Sequence, residues 1–266
     1  GCNMWNDANM QQFILQFLPP GASLLWLEDL DRRPAIIVTD LGGDQTQEII
    51  AAYRWNDKNG IIVLTSSCGY WYPMAYIEGN GYGITYLNAA PVTGGHIKEL
   101  IIGWQHGAIY SKLDIQKLTA QGFQSILDED VYFSKIEAAN MPVKKGLDAQ
   151  YEIALWVHDT GEAYKIEVYQ WKDNRLKPYP DAYPYYFKKV VEYYKKQVMK
   201  LPEAAFYWYY LADAQEKAGF YNAALKSVDM AIKLDMSYPS PRTLRELREK
   251  ILANLRVKYM LFPASF

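Results

Sequence analysis

Asp159-Thr160-Gly161 is the stretch of this chain that comes nearest to catalytic machinery. Two copies of such a triplet place two carboxylates where they share a proton. Here there is one copy, between an apolar run and Ala163-Tyr164-Lys165-Ile166, and in that setting Asp-Thr-Gly makes a hairpin turn. Only a dimer would bring a second aspartate. Gly79-Asn80-Gly81-Tyr82-Gly83 has the glycines of a dinucleotide loop, but a strand-like Ile84-Thr85-Tyr86-Leu87 follows where a helix would have to aim amides at phosphate. His96, His106 and His158 lack short metal-ligand spacing, which leaves only a zinc site assembled across repeats. Cys68 has no neighbouring histidine motif to make it a nucleophile.

The carboxylates that do follow a rule are Glu48, Glu99 and Glu152. Each closes a loop and heads an apolar run: Asp40-Leu41-Gly42-Gly43-Asp44-Gln45-Thr46-Gln47-Glu48-Ile49-Ile50, Thr93-Gly94-Gly95-His96-Ile97-Lys98-Glu99-Leu100-Ile101, and Gly146-Leu147-Asp148-Ala149-Gln150-Tyr151-Glu152-Ile153. Their intervals, 51 and 53 residues, belong to blade-like β repeats. The elements around them read the same way. One set of strand-like runs is 23–27, 35–39, 48–55 and 61–64; a second is 74–77, 83–87, 99–104 and 108–115; a third is 122–127, 131–136, 152–157 and 163–171. Asp57-Lys58-Asn59-Gly60 reads as a hairpin between two of them.

Near Pro178-Tyr179-Pro180 the apolar period changes from two to about 3.6. Val190, Val191, Tyr194, Val198 and Leu201 line one helix; Trp208, Leu211, Ala212 and Gln215 a second that stops at Gly219; Ala224, Leu225, Val228, Ala231 and Ile232 a third. A last helix follows Pro239-Ser240-Pro241, from Arg242 to about Val257. The expectation is a mainly β chain with a C-terminal α part: an N-terminal tether at 1–20, about three blade-like antiparallel units at 21–180, as an incomplete propeller or an open series, and a helical domain at 181–266.

The loop-Glu-apolar phrases over residues 30–172 resemble the FG-GAP/VCBS-like repeats of integrin and bacterial surface propellers. In that family an Asp-rich loop often holds calcium, which asks for six or more oxygens. The resemblance therefore implies one structural calcium at most, at Asp40, Asp44 and Glu48. The second loop has Pro91, Thr93 and Gly95 before Glu99, and the third has Lys144, Gly146 and Asp148 before Glu152. The plainer alternative is that these glutamates and glycine-rich turns position a strand entry. Residues 205–238 resemble a single tetratricopeptide repeat, with Trp208, Leu211, Ala212, Gly219, Tyr221, Ala224, Leu225 and Ala231 at its apolar and small positions, and Met236 and Gln215 departing from it. One such unit does not bury its own face, so flanking helices should complete it and dock the set on the β domain.

Cys2, after a small residue, resembles the end of a bacterial lipobox, which implies lipidation and an extracytoplasmic, membrane-anchored protein. The alternatives are an incidental thiol or a disulfide with Cys68. With both repeats, the chain resembles clostridium-type lipoproteins, a resemblance that assigns no ligand. The net charge of −2 conceals 14 Lys/Arg against 22 Asp/Glu in residues 1–182 and 14 against 8 in 183–266. The basic tail suits an acidic partner, or the acidic front of its own chain, or is a solvated helical surface. No basic run suggests nucleic acid.

Among 23 Tyr and 8 Trp, Tyr70-Trp71-Tyr72 is the candidate aromatic binding surface, with Tyr53 and Trp55, then Trp104, Trp156 and Trp171, as further candidates. Alternation along a strand turns about half of such rings into the core. The functional expectation is a non-catalytic binding or scaffold lipoprotein that engages a protein or peptide. The alternatives are a cell-wall glycan-binding or glycan-hydrolysing protein with carboxylates at blade edges, and a purely structural envelope protein.

Overall fold

Strands that are apolar without interruption need cover on both faces, and the architecture supplies it. A computed structural model of the chain describes residues 7–28, 32–143, 146 and 148–261. The chain divides into two compact units: Gly1–Asn140 with Ala149–Val157 and Tyr169–Lys177, and Met141–Asp148 with His158–Val168 and Pro178–Phe266.

The first unit opens with helix α1 (Asp7–Leu15) and the short strands β1 (Ser23–Leu24), β2 (Trp26–Leu27) and β3 (Arg33–Pro34). The first sheet runs β4 (Ile36–Thr39), β5 (Glu48–Trp55), β6 (Lys58–Ser67), β7 (Tyr70–Glu78), with β1 also pairing with β5. The second runs β8 (Gly83–Ala90), β9 (Glu99–Gln105), β10 (Ser111–Thr119), β11 (Gly122–Ser125), with β12 (Tyr132–Phe133) also on β10. The third takes β13 (Lys135–Ala139), β14 (Glu152–His158), β15 (Tyr164–Lys172) and β16 (Arg175–Pro178) in that order. Antiparallel sheets followed by C-terminal helices are thus the observed class.

The strands group differently from the sets read off the sequence. Residues 74–77 and 122–127 are assigned there to the start of a new unit, yet they belong to β7 and to β11 with its extension, the last strands of the preceding sheets. Two-residue turns decide this. Cys68 and Gly69, both at positive φ, join Ser67 directly to Tyr70, and Ala120-Gln121 joins Thr119 to Gly122. The expected hairpin at Asp57–Gly60 turns one residue earlier: Asn56 and Asp57 both have positive φ and Trp55 pairs with Lys58, the geometry that matches strand twist.

Period-two alternation then distributes each run over two cores. Ile50, Ala52, Ile61 and Val63 of the first sheet meet Leu87, Leu100, Ile102 and Trp104 of the second. Ile101, Leu113 and Ile115, from the opposite face of the second sheet, meet Ile153 and Leu155 of the third. The remaining face of the first sheet, Ile49, Ala51, Ile62 and Leu64, packs against Ile14 and Leu18 at and beyond α1. The leading strands of successive sheets also meet, β4 with β8 and β8 with β13.

The second unit contains a short 3-10 turn (Pro180–Ala182) and helices α2 (Tyr183–Lys200), α3 (Ala205–Lys217), α4 (Tyr221–Lys233) and α5 (Pro241–Leu261). Val190, Val191, Tyr194 and Val198 are buried as the period requires, but Leu201 lies past the end of α2 and is exposed. The α3–α4 turn is a Schellman cap: Gly219 sits at φ +81°, its N–H donates to Glu216 O, and Phe220 N–H donates to Gln215 O. None of the described helices is long and apolar enough to cross a membrane.

Tyrosines of α2 and α3 hold the Asp159–Ala163 hairpin. Tyr194 Oη donates to Tyr164 O and accepts from Tyr164 N, each at 2.9 Å; Tyr193 Oη donates to Glu162 O; Tyr207 Oη accepts from Glu162 N. Burial, before any charge effect, pushes the Tyr193, Tyr194 and Tyr210 phenols well above their ordinary value and Tyr209 up to about 12. The folded state keeps these protons after an unfolded chain, with tyrosines near 10, has released them. Their stabilisation is therefore fully present below pH 10 and declines as pH rises from 10 towards 12, which circular dichroism melts across that range will show as a steepening loss of Tm.

Candidate functional site

The three glutamates occupy one structural position. Each is the first residue of the second strand of its sheet, and each pairs with the last residue of the first strand: Thr39 with Glu48, Ala90 with Glu99, Ala139 with Glu152. All three are buried, at 6%, 0% and 1% exposure. Glu48 Oε2 accepts from Leu41 N at 2.8 Å and its Oε1 from Thr65 Oγ1 at 3.2 Å. Glu99 accepts from Thr93 N at 3.0 Å and Thr93 Oγ1 at 2.6 Å, with Lys117 Nζ at 3.6 Å. Glu152 Oε1 accepts from Gln170 Nε2 at 3.0 Å.

A common device emerges from these contacts. The carboxylate ties the third strand to the head of the second, and in the first two sheets it also takes a backbone N–H of the preceding loop. Buried amides need partners, and a charged acceptor makes the bond stronger. Sequence reasoning misses Thr65, Lys117 and Gln170, which share the role. They lie 17 or 18 positions after each glutamate, a spacing that the other polar residues of β10 and β15 leave inconspicuous.

Asp40 and Asp44 are occupied within their own loop. Asp40 accepts from Gly43 N at 2.6 Å, Gln45 N at 2.8 Å and Asp44 N at 3.3 Å, while Asp44 accepts from Thr46 N at 2.8 Å. Desolvation acts to raise the Asp40 carboxyl, but those N–H groups and Lys98 together hold it below its ordinary value. Asp40, Asp44 and Glu48 do not gather as a metal-binding cluster, nor do any three His, Cys, Asp or Glu among the described residues. Lys144 and Cys2 lie outside the described residues, so the lipidation site and its disulfide alternative have no structural description. Cys68 is an exposed free thiol in a turn.

The aromatic candidates separate by strand parity. Tyr70 and Tyr72 are 79% and 47% exposed, whereas Trp71 between them turns inward and meets the Phe13 ring edge-on at 5.8 Å. They stand on β7, the last strand of the first sheet, where Pro73 removes a donor and the register with β6 shifts, Val63 pairing with Ala75 and Leu64 with Pro73. Trp104 and Trp156 are buried, Trp171 packs on the second core, and Trp55 is exposed with its indole N–H on Pro20 O. Tyr53 is half-buried beside Gly60.

A second feature of the first unit is an acidic cleft of about 310 Å³, lined among others by Glu78, Lys112, Asp114, Asp128, Glu129 and Asp130. Lys112 and Asp130 pair at 2.5 Å, and their hydrogen bond raises the lysine and lowers the aspartate. Asp114 is buried and takes both its bonds from Gln116 Nε2, at 3.1 and 2.9 Å.

In the second unit, Ala212, Ala224 and Ala231 are fully buried with Val228, Leu244, Leu247, Ile251 and Leu255, and Trp208 and Tyr221 pack on that cluster. Leu211 is buried as well. Small residues at 212, 224 and 231 let α3, α4 and α5 approach closely. The Asp159-Thr160-Gly161 triplet is a turn, with Asp159 N donating to Ala163 O and Ala163 N to Thr160 O. Loop 79–83 is followed by β8 and is tied down through its carbonyls, Gly81 O to Asn59 and Tyr82 O to Arg54.

No family model matches the chain, and no curated protein is significantly similar to it. The site geometry itself sets a test. Glu99→Gln leaves one acceptor oxygen for the two Thr93 donors and removes the charge facing Lys117, and is expected to lower the unfolding free energy by about 1–3 kcal/mol in urea titrations. Glu78→Gln, on the exposed cleft rim, should stay within about 0.5 kcal/mol of the native chain.

Proposed function

We propose that this chain is a non-catalytic binding or scaffold protein of the cell envelope, which engages an extended peptide segment of a protein partner along β7. The observation that carries this reading is the exposure of Tyr70 and Tyr72 on a terminal strand whose inner neighbour, Trp71, is anchored. Such an edge offers backbone groups for strand addition and rings for alternate side chains. The carboxylates with repeat spacing are engaged in holding strands together, which favours a framework over a reaction centre.

The finer architecture belongs to the same proposal. Three antiparallel sheets of five, five and four strands with one Glu register, and leading strands that meet in succession, support FG-GAP/VCBS-like blades in an open or incomplete propeller. The α3–α4 hairpin, with its small buried residues and Gly219 cap, supports a tetratricopeptide-like repeat flanked by α2 and α5. Cys2 is the proposed lipid attachment that would place the protein outside the cytoplasm at a membrane.

A second reading, a glycan-binding or glycan-hydrolysing protein, is favoured by the acidic cleft, which Asp114, Asp128, Glu129 and Asp130 line together and where Asp130 accepts from the Tyr132 hydroxyl. Peptide and glycan arrays separate the two. Peptide binding that falls at least about tenfold in a Tyr70→Ser/Tyr72→Ser variant supports the first, given the weight of buried rings in interfaces. Glycan binding unchanged by that variant, or release of reducing sugar, overturns it in favour of the second. Radiolabelled fatty acid should enter the native precursor and not a Cys2→Ser variant; an unlabelled native precursor removes the anchor.

A further inference from the structure

The second unit contains a cavity of about 400 Å³ lined by Asp159, Thr160, Phe206, Met236, Ser237 and Tyr238. Among the described residues that line it, Asp159 is the one charged group. Oδ2 of that carboxylate accepts from Tyr210 Oη at 2.8 Å and from the Tyr238 hydroxyl. Burial first, and Asp159 itself second, push both phenols up, so they remain donors throughout the physiological range. Oδ1 has a different situation. Its cation is Lys165 Nζ at 3.8 Å, beyond hydrogen-bond length, on a side chain 70% exposed against 16% for Asp159.

From this geometry we infer that the Asp159 cavity is a binding site for a primary alkylammonium group, as carried by a lysine side chain. The reasons are chemical. One oxygen of the carboxylate is occupied by two phenols, which leaves a single acceptor. A guanidinium is matched to both oxygens of a carboxylate at once, whereas a compact ammonium needs only one. Phe206, Tyr238 and Met236 supply ring faces and a thioether along which an alkyl stem lies, and rings favour the cation that follows it. Met236 and Tyr238 are both substantially exposed, so the walls are open to solvent. Loosely held Lys165 yields its place to the incoming ammonium. The site is independent of the β7 edge, because every residue in it belongs to the second unit.

Calorimetric titration of the full chain with four probes tests the inference: acetyl-Gly-Lys-Gly-amide, its arginine and norleucine counterparts, and 1-aminobutane. The lysine peptide is expected to bind roughly tenfold more tightly than the arginine and norleucine peptides, the yield of one charge-assisted bond. A lysine peptide that outbinds 1-aminobutane assigns the ammonium to a protein partner, and the reverse order assigns it to a free amine. Asp159→Asn should remove the preference for lysine. Met236→Lys, which brings a competing cation to an exposed wall position, should abolish binding while leaving the circular dichroism melt in place. Equal binding of the lysine and norleucine peptides, no saturable binding of any probe, or undiminished binding by the Met236→Lys chain overturns the assignment.

Discussion

A buried carboxylate has to be surrounded by donors, and that requirement organises the β part of this chain. At the head of β5 and of β9, the glutamate reaches both backward to the loop it has just left and sideways to the third strand. A side chain in that place fixes three things together: the end of the first strand, the path of the loop and the register of the hairpin that follows. Because a one-residue slip would turn Ile49, Ile50, Ala51 and Ala52 to the wrong faces, the latch protects both cores at once.

Sheets with two apolar faces cannot stand alone, and the consequence is a series. The second sheet is covered on one side by the first and on the other by the third. The first sheet, at the end of the series, borrows a helix instead: Ile14 and Leu18 complete the face formed by Ile49, Ala51, Ile62 and Leu64. A segment expected from sequence as a tether at 1–20 thus contributes, from residue 7 onward, to a core. In the helical unit the same need is met by small residues, since Ala212, Ala224 and Ala231 allow three helices to close over one apolar seam.

Glu48, Glu99 and Glu152 are legible as a repeat because a rule of spacing and context survives while the residues around them change. Their partners are not legible in that way. Thr65, Lys117 and Gln170 have different chemistry, and only the shared register shows them to be equivalent. The grouping of strands is obscured for a related reason: apolar periodicity marks where strands lie, but Asn56-Asp57 and Cys68-Gly69 decide which strands are joined tightly, through backbone angles that composition does not display. The division of Tyr70, Trp71 and Tyr72 follows parity and is legible in kind, although Phe13 as the anchor is not. Asp159 is legible only as a turn, because its phenolic partners Tyr210 and Tyr238 come from 51 and 79 residues away.

The position of α1 before the first sheet bears on the order in which a growing chain acquires structure. The strands of that sheet are sequential neighbours joined by tight turns, so they form from short-range encounters, and the helix that shields their outer side has already been synthesised when they do. Their inner side has no such provision. It stays wet until Leu87, Leu100 and Ile102 have emerged, and the second sheet in turn waits for Ile153 and Leu155. Maturation therefore proceeds from the amino end as a moving front, with one greasy surface always one sheet ahead of its cover.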